Sequence, residues 1–128
     1  MPAKVVDASV LGALVFQEPR AEEADAHLQG AELYAPTLLA YELTHIAQKK
    51  TQAYPALRGA FQEALESALS LDIQWLDVVH GSVLQLAQQK DITTYDASYL
   101  YLARTLGAPL VTFDVQLQAA AEDVRGQS

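Results

Sequence analysis

Short apolar runs alternate with longer helical stretches along this chain, and that alternation limits its possible folds more than any other feature. Lys4 to Val6, Glu32 to Ala35, Ile73 to Leu76 and Leu110 to Phe113 have strand length and a mostly apolar make-up. Helical patterns fill the spaces between them. Ser9 to Phe16 and Arg20 to Leu28 read as helices, with a break at Pro19 and a stop signal at Gly30. Leu38 to Lys50 reads as a third. After the break at Tyr54-Pro55, Leu57, Phe61, Leu65, Ala68 and Leu69 recur at three- and four-residue steps as a fourth. Val79, Val83, Leu86 and Ala87 give the next helix its buried stripe, and Asp91 to Thr94 reads as a loop. The following helix carries Asp96 in its first turn and stops at Gly107 before Pro109; Val115 to Glu122 is the last. Strands this short and apolar, joined by helices, predict a three-layer α/β/α sandwich with a central, mostly parallel sheet of four or five strands.

The chain's 128 residues are expected to form one domain, 1–128, with 125–128 as a frayed tail. Hydrophobic residues make up 51% and charged residues 19%, which excludes a disordered chain. Cysteine is absent, so disulfide frames, thiolate nucleophiles and zinc–thiolate sites are excluded. No apolar run approaches membrane-spanning length, and Asp7 comes too early for a signal peptide; the expectation is a cytoplasmic protein with no membrane partner. The net charge of −8 argues against a general nucleic-acid coat, although four clustered acids alone would account for half of it.

Four acids stand where a strand hands over to a helix, or just inside a helix: Asp7, Glu42, Asp96 and Asp114. In a parallel sheet such junctions gather at the carboxyl edge, where ligands bind. Carboxylates without Cys or a well-placed His make the chemistry of a hard divalent cation such as magnesium. Taken singly, Asp7 and Asp114 read as helix N-caps and Asp96 as a charge favoured by a helix N-terminus. Capping does not account for Glu42, which is expected about two turns into its helix. Glu42-Leu43-Thr44-His45 also has the Glu-x-x-His spacing of di-iron bundles, but the chain has no second such pair. His27, His45 and His80 read as surface or packing residues.

Four blocks, in order, give the chain a resemblance to the PIN-domain nucleases, and most closely to the small VapC-type toxin ribonucleases. They are Val5-Val6-Asp7-Ala8-Ser9, Pro36 through Leu43, Thr94 through Ala103, and Leu110 through Leu117. The resemblance implies that Asp7, Glu42, Asp96 and Asp114 are the catalytic and metal-binding acids. Ser9 matches the small hydroxyl residue two positions after the first acid, and Thr112 the hydroxyl residue before the fourth. It further implies endoribonuclease activity with magnesium or manganese, an RNA substrate, a homodimer and a small antitoxin partner. One departure stands out. Where many relatives carry further charged residues after the fourth acid, this chain has Val115-Gln116-Leu117.

Read chemically, Asp7, Asp96 and Asp114 are expected to form a three-acid cradle for one metal or two, with Glu42 acting directly or through water. Ser9 and Thr112 are expected to orient these acids. Lys49, Lys50 and Arg58 flank a helix–helix turn and are candidates for contact with RNA phosphates. Two alternatives stay open: a structure-specific DNA nuclease, and a catalytically silent module that keeps the fold for dimerisation or protein contact.

Overall fold

The computed structural model describes residues 1–122, so the tail expected at 125–128 lies outside the described residues. The elements run β1 (Ala3–Val6), α1 (Ala8–Val15), α2 (Ala21–Leu28), β2 (Glu32–Pro36), α3 (Leu38–Ala53), a 3-10 turn (Pro55–Leu57), α4 (Arg58–Leu69), β3 (Ile73–Leu76), α5 (His80–Lys90), α6 (Thr94–Leu106), β4 (Leu110–Val111) and α7 (Val115–Glu122). Four strands form one sheet in the order β3-β2-β1-β4, and all three pairings are parallel. The expected α/β sandwich is thus present, with four strands and no antiparallel member among the described residues. Among the described residues no helix is long and apolar enough to cross a membrane.

Parallel neighbours require crossovers, and here the crossovers place helices on both faces. α1, α3 and α4 pack on one another, while α5, α6 and α7 form a second group in which α6 lies against β1 and β2. Val5, Val6, Val10, Leu11, Leu39 and Leu43 are fully buried at the centre of the larger core. Each such side chain contributes on the order of 1.5–3 kcal/mol by leaving water. Gly12 lies where α1 packs on α3: a Cβ there would stand 3.4 Å from Ile46 Cδ1. A Cβ fits there in ordinary contact, while anything longer would meet the side chains of Ile46 and Leu43 on α3.

Strand order reverses at β1: β2 and β3 extend the sheet on one side and β4 on the other. Such a reversal opens a crevice beyond the strand carboxyl ends. Register then decides which residues meet there. Val5 pairs with Leu110 and Val6 with Val111, so the next residues along, Asp7 and Thr112, emerge side by side. β4 is shorter than expected because the ladder ends at Val111. Thr112 turns its hydroxyl to Asp7 and to the Asp114 amide instead of continuing the sheet.

The candidate acidic site at the carboxyl edge of the sheet

Asp7 directly follows β1 and caps α1, its Oδ1 accepting the Ser9 amide at 3.1 Å and the Val10 amide at 3.2 Å. It is 6% exposed. The same oxygen accepts the Ser9 hydroxyl at 2.7 Å, and Oδ2 accepts the Thr112 hydroxyl. Ser9 Oγ in turn accepts the Phe113 amide at 2.9 Å, and Thr112 Oγ1 the Asp114 amide at 3.0 Å. Two hydroxyl residues therefore tie the β1–α1 junction to the β4–α7 junction. Asp114 completes the web by accepting the Leu117 amide on Oδ1 at 2.8 Å.

Both aspartates do cap helices, as the plain structural reading anticipates. Capping occupies only part of each carboxylate, however. Asp114 Oδ2 takes no hydrogen bond from any described residue, and Asp7 Oδ2 takes only one. Asp96 sits in the first turn of α6, whose cap is Thr93: the Thr93 hydroxyl accepts the Asp96 amide at 3.0 Å, leaving the Asp96 carboxylate to the site. Glu42 is the fifth residue of α3, just over one turn in, closer to the sheet edge than the two turns expected. Its Oε1 accepts the phenolic hydrogen of Tyr99.

Electrostatics shows the four acids sharing one region. Burial, first, pushes the Glu42 carboxyl up; Tyr99 opposes this, and the charges of Asp7 and Asp96 reinforce it. Asp96 is raised by burial, then by the charges of Asp114 and Asp7. Asp7 is raised by burial alone, against hydrogen bonds from Thr112, Ser9 and Val10 that favour its charged form. Carboxylates raised by burial and by neighbouring negative charge are poised to gain from a cation.

The expected tight cradle is not closed. Among the described residues, no three His, Cys, Asp or Glu side chains are grouped so as to hold one ion. The donor set nevertheless suits magnesium, which keeps several waters and binds through only one or two carboxylates. Each of the four acids retains oxygen capacity that the described protein donors do not fill.

Other candidates lie elsewhere. Lys49 and Lys50 are at the far end of α3 from Glu42. Lys50 pairs with Glu18 at 3.1 Å and lies 5.8 Å from the Phe16 ring centre. Arg58 lines a groove between α3 and α4 with Thr44, Gln48 and Gln62. His27, His45 and His80 are all exposed, and His27 packs edgewise on Phe113.

Sequence reasoning missed two residues. Tyr99 is buried as a core residue would be, yet its hydroxyl is the partner of Glu42; its position three residues after Asp96, on the same helix face, was the available signal. Arg20 lies 3.6 Å over the Phe113 ring, next door to Asp114, while its Nε and Nη2 grip Glu23. No local pattern links Arg20 to Phe113, so that cation was not legible.

A doubly wound α/β domain with four carboxylates at its switch point is the class that this geometry defines. The PIN domain model matches residues 4–123, and the chain belongs to the PIN-domain family. It is 33% identical over 118 residues to Ribonuclease VapC3 of Pyrobaculum aerophilum, covering 88% of this chain and 90% of that protein. The crystal structure of PAE2754 from Pyrobaculum aerophilum superposes with a TM-score of 0.78 at 28% identity, covering 94% of this chain and 86% of that one. VapBC2 from Rickettsia felis, bound to a DNA fragment from its promoter, superposes with a TM-score of 0.65 at 16% identity, covering 92% of each chain. That last likeness is one of fold.

Proposed function

We propose that this protein is a magnesium- or manganese-dependent endoribonuclease that cuts single-stranded RNA, the toxin of a toxin–antitoxin pair acting in the cytoplasm as a homodimer. The observation that carries this reading is the convergence of Asp7, Glu42, Asp96 and Asp114 on one region, where the charges of Asp7 and Asp96 act on Glu42 and those of Asp114 and Asp7 act on Asp96. The relative at 33% identity, named as a ribonuclease, supports RNA as substrate. The antitoxin and the homodimer rest on the motif resemblance.

A divalent cation at such a site supplies charge neutralisation for the phosphate and a lowered pKa for the attacking water. Asp7, Asp96 and Asp114 are the residues that would hold it, with Glu42 reaching it directly or through water. Ser9 and Thr112 keep the Asp7 carboxylate oriented through the bonds described above. Tyr99 holds Glu42 and favours its charged form, the form needed to accept a proton from an attacking water. An antitoxin would inhibit by placing an Arg or Lys among these acids in place of the metal.

The test is cleavage of structured and unstructured RNAs by the purified protein with magnesium or manganese, against an EDTA control. Cleavage that needs the metal supports the reading; intact RNA with folded protein and metal counts against it.

A further inference from the structure

Beyond the carboxyl ends of β2 and β3, on the same edge of the sheet as the acids, lies a cavity of about 420 Å³. It abuts the acidic site through the chain itself. Tyr95, on its wall, immediately precedes Asp96, and Thr37, also on its wall, caps the helix that carries Glu42. Leu76 and Val83 contribute to an apolar lining. Asp77, His80, Thr37 and Tyr95 supply polar groups, and none of these side chains has a hydrogen-bond or ion-pair partner among the described residues. An apolar chamber with a few uncommitted polar groups is the general form of a small-ligand pocket.

Its charge says which part of a nucleic acid fits. Among the described residues no Lys or Arg lines it, and the one formal charge on its wall is the Asp77 carboxylate, so a phosphate would meet repulsion there. A base meets the opposite conditions. Tyr95 is 62% exposed and offers a ring face for stacking, as does the exposed His80. Asp77 is an acceptor only: an exocyclic amino group of adenine, cytosine or guanine can donate to it, whereas the single edge N–H of uracil is flanked by two carbonyl oxygens that repel a carboxylate. A wholly apolar peptide side chain would use the lining and leave all four polar groups idle.

We propose that this cavity receives a nucleobase adjoining the cut bond, with Tyr95 as its stacking partner and Asp77 selecting a base that bears an exocyclic amino group over uracil. The inference rests on the ribonuclease reading above and adds to it the part of the substrate that is recognised. Asp77 and Tyr95 act here as specificity residues; the chemistry at the phosphate belongs to the acids.

A pool of single-stranded RNA with randomised sequence tests it, cut with magnesium or manganese by the wild-type protein and by the Asp77→Asn, Tyr95→Ala and Tyr95→Phe variants. Both sites are at the surface, and a thermal melt of each variant checks its fold. The expected result is that the wild type disfavours uracil at one position beside the cut. Asp77→Asn reduces that preference by about ten-fold or more. Tyr95→Ala raises KM about ten-fold with a smaller change in kcat, and Tyr95→Phe restores it because the ring face is kept. Cleavage with the same base preference in the wild type, Asp77→Asn and Tyr95→Ala overturns the inference and leaves the ribonuclease reading standing. So does a pattern in which the variants lose only the binding of an apolar peptide, which would make the cavity a protein-docking site. Failure of the wild type to cut any RNA overturns the ribonuclease reading, and this inference with it.

Discussion

Tyr99 donates its hydroxyl hydrogen to Glu42 Oε1 across a separation of 57 residues, joining the inner face of α6 to the second turn of α3. Tyr99 is 1% exposed, so its phenol has little access to water and this carboxylate is its partner. The bond places Glu42 beside Asp96, which lies one turn before Tyr99 on the same helix. Burial, the charge of Glu42 and the bond to it all push the Tyr99 phenol above its ordinary range, so it stays a donor at every physiological pH.

Tyr99→Phe removes the one interaction that holds the Glu42 carboxyl down against burial and the charges of Asp7 and Asp96. Glu42 in the variant takes up its proton at higher pH. The acid limb of the cleavage pH profile shifts upward, with the loss of rate greatest at low pH. Stability falls by about 1.5–3 kcal/mol, the cost of one hydrogen bond to a charged group. A pH–rate profile beside a denaturant melt separates the two effects, since a purely structural Tyr99 would leave the profile's position unchanged.

Asp7 and Asp96 both have folded-state carboxyls raised above the ordinary aspartate range. A raised acid binds its proton more readily in the folded state than in the unfolded one. Its contribution to stability is therefore fully present below the unfolded pKa and is lost as pH rises through the folded value. The metal-free protein should accordingly lose stability as pH rises from about 4 through the raised carboxyl range. Asp7→Asn and Asp96→Asn should flatten that slope, keep the fold, and equal or exceed the wild type in metal-free stability at neutral pH. Asn caps a helix about as well as Asp, so the Asp7 cap survives the change. Thermal melts against pH in EDTA measure this; a large loss of stability at neutral pH would assign the acids a structural role.

Divalent metal is expected to reverse the same penalty. Magnesium at about 100 times its dissociation constant should stabilise the wild type by about 2.7 kcal/mol, with less effect in Asp7→Asn and Asp96→Asn. The gain should be larger at neutral pH than at pH 5, where protons compete with metal for the carboxylates. Melting curves with and without magnesium read this without any RNA present.

The three candidate RNA-contacting cations are expected to differ. Lys50 is held by Glu18, whereas Lys49 is exposed and Arg58 lines an open groove. Lys49→Ala and Arg58→Ala should each raise KM with little change in kcat and lower the salt slope of binding by about 0.7, the value for one phosphate contact on a single strand. Lys50→Ala should change the slope less. Binding measured across a salt series distinguishes them.

Much of the fold was legible because local pattern and tertiary role agree. Val5 and Val6 read as a buried strand and are one, and Gly107 ends α6 in the left-handed conformation its position suggested. The misreadings fall where side chains override pattern. Phe113 looked like strand, but Thr112 leaves the ladder to bind Asp7, and β4 stops short. Thr94 looked like loop, although the Thr93 cap starts the helix there. At the candidate site the acids, Ser9 and Thr112 were named from sequence. The hydroxyl web that joins Ser9 and Thr112 was not, because it depends on the β1–β4 register, which no local spacing encodes. Tyr99 was hidden for a related reason, since its ring obeys the core pattern while its hydroxyl serves the edge.

The most direct measurement is the rate at which purified wild type and Asp96→Asn cut a single-stranded RNA of mixed sequence, each with magnesium and with EDTA. The account predicts cleavage by the wild type with magnesium alone, and none above background in the other three reactions although the variant melts as a folded protein. Equal cleavage by the wild type and Asp96→Asn, or wild-type cleavage undiminished in EDTA, would contradict it.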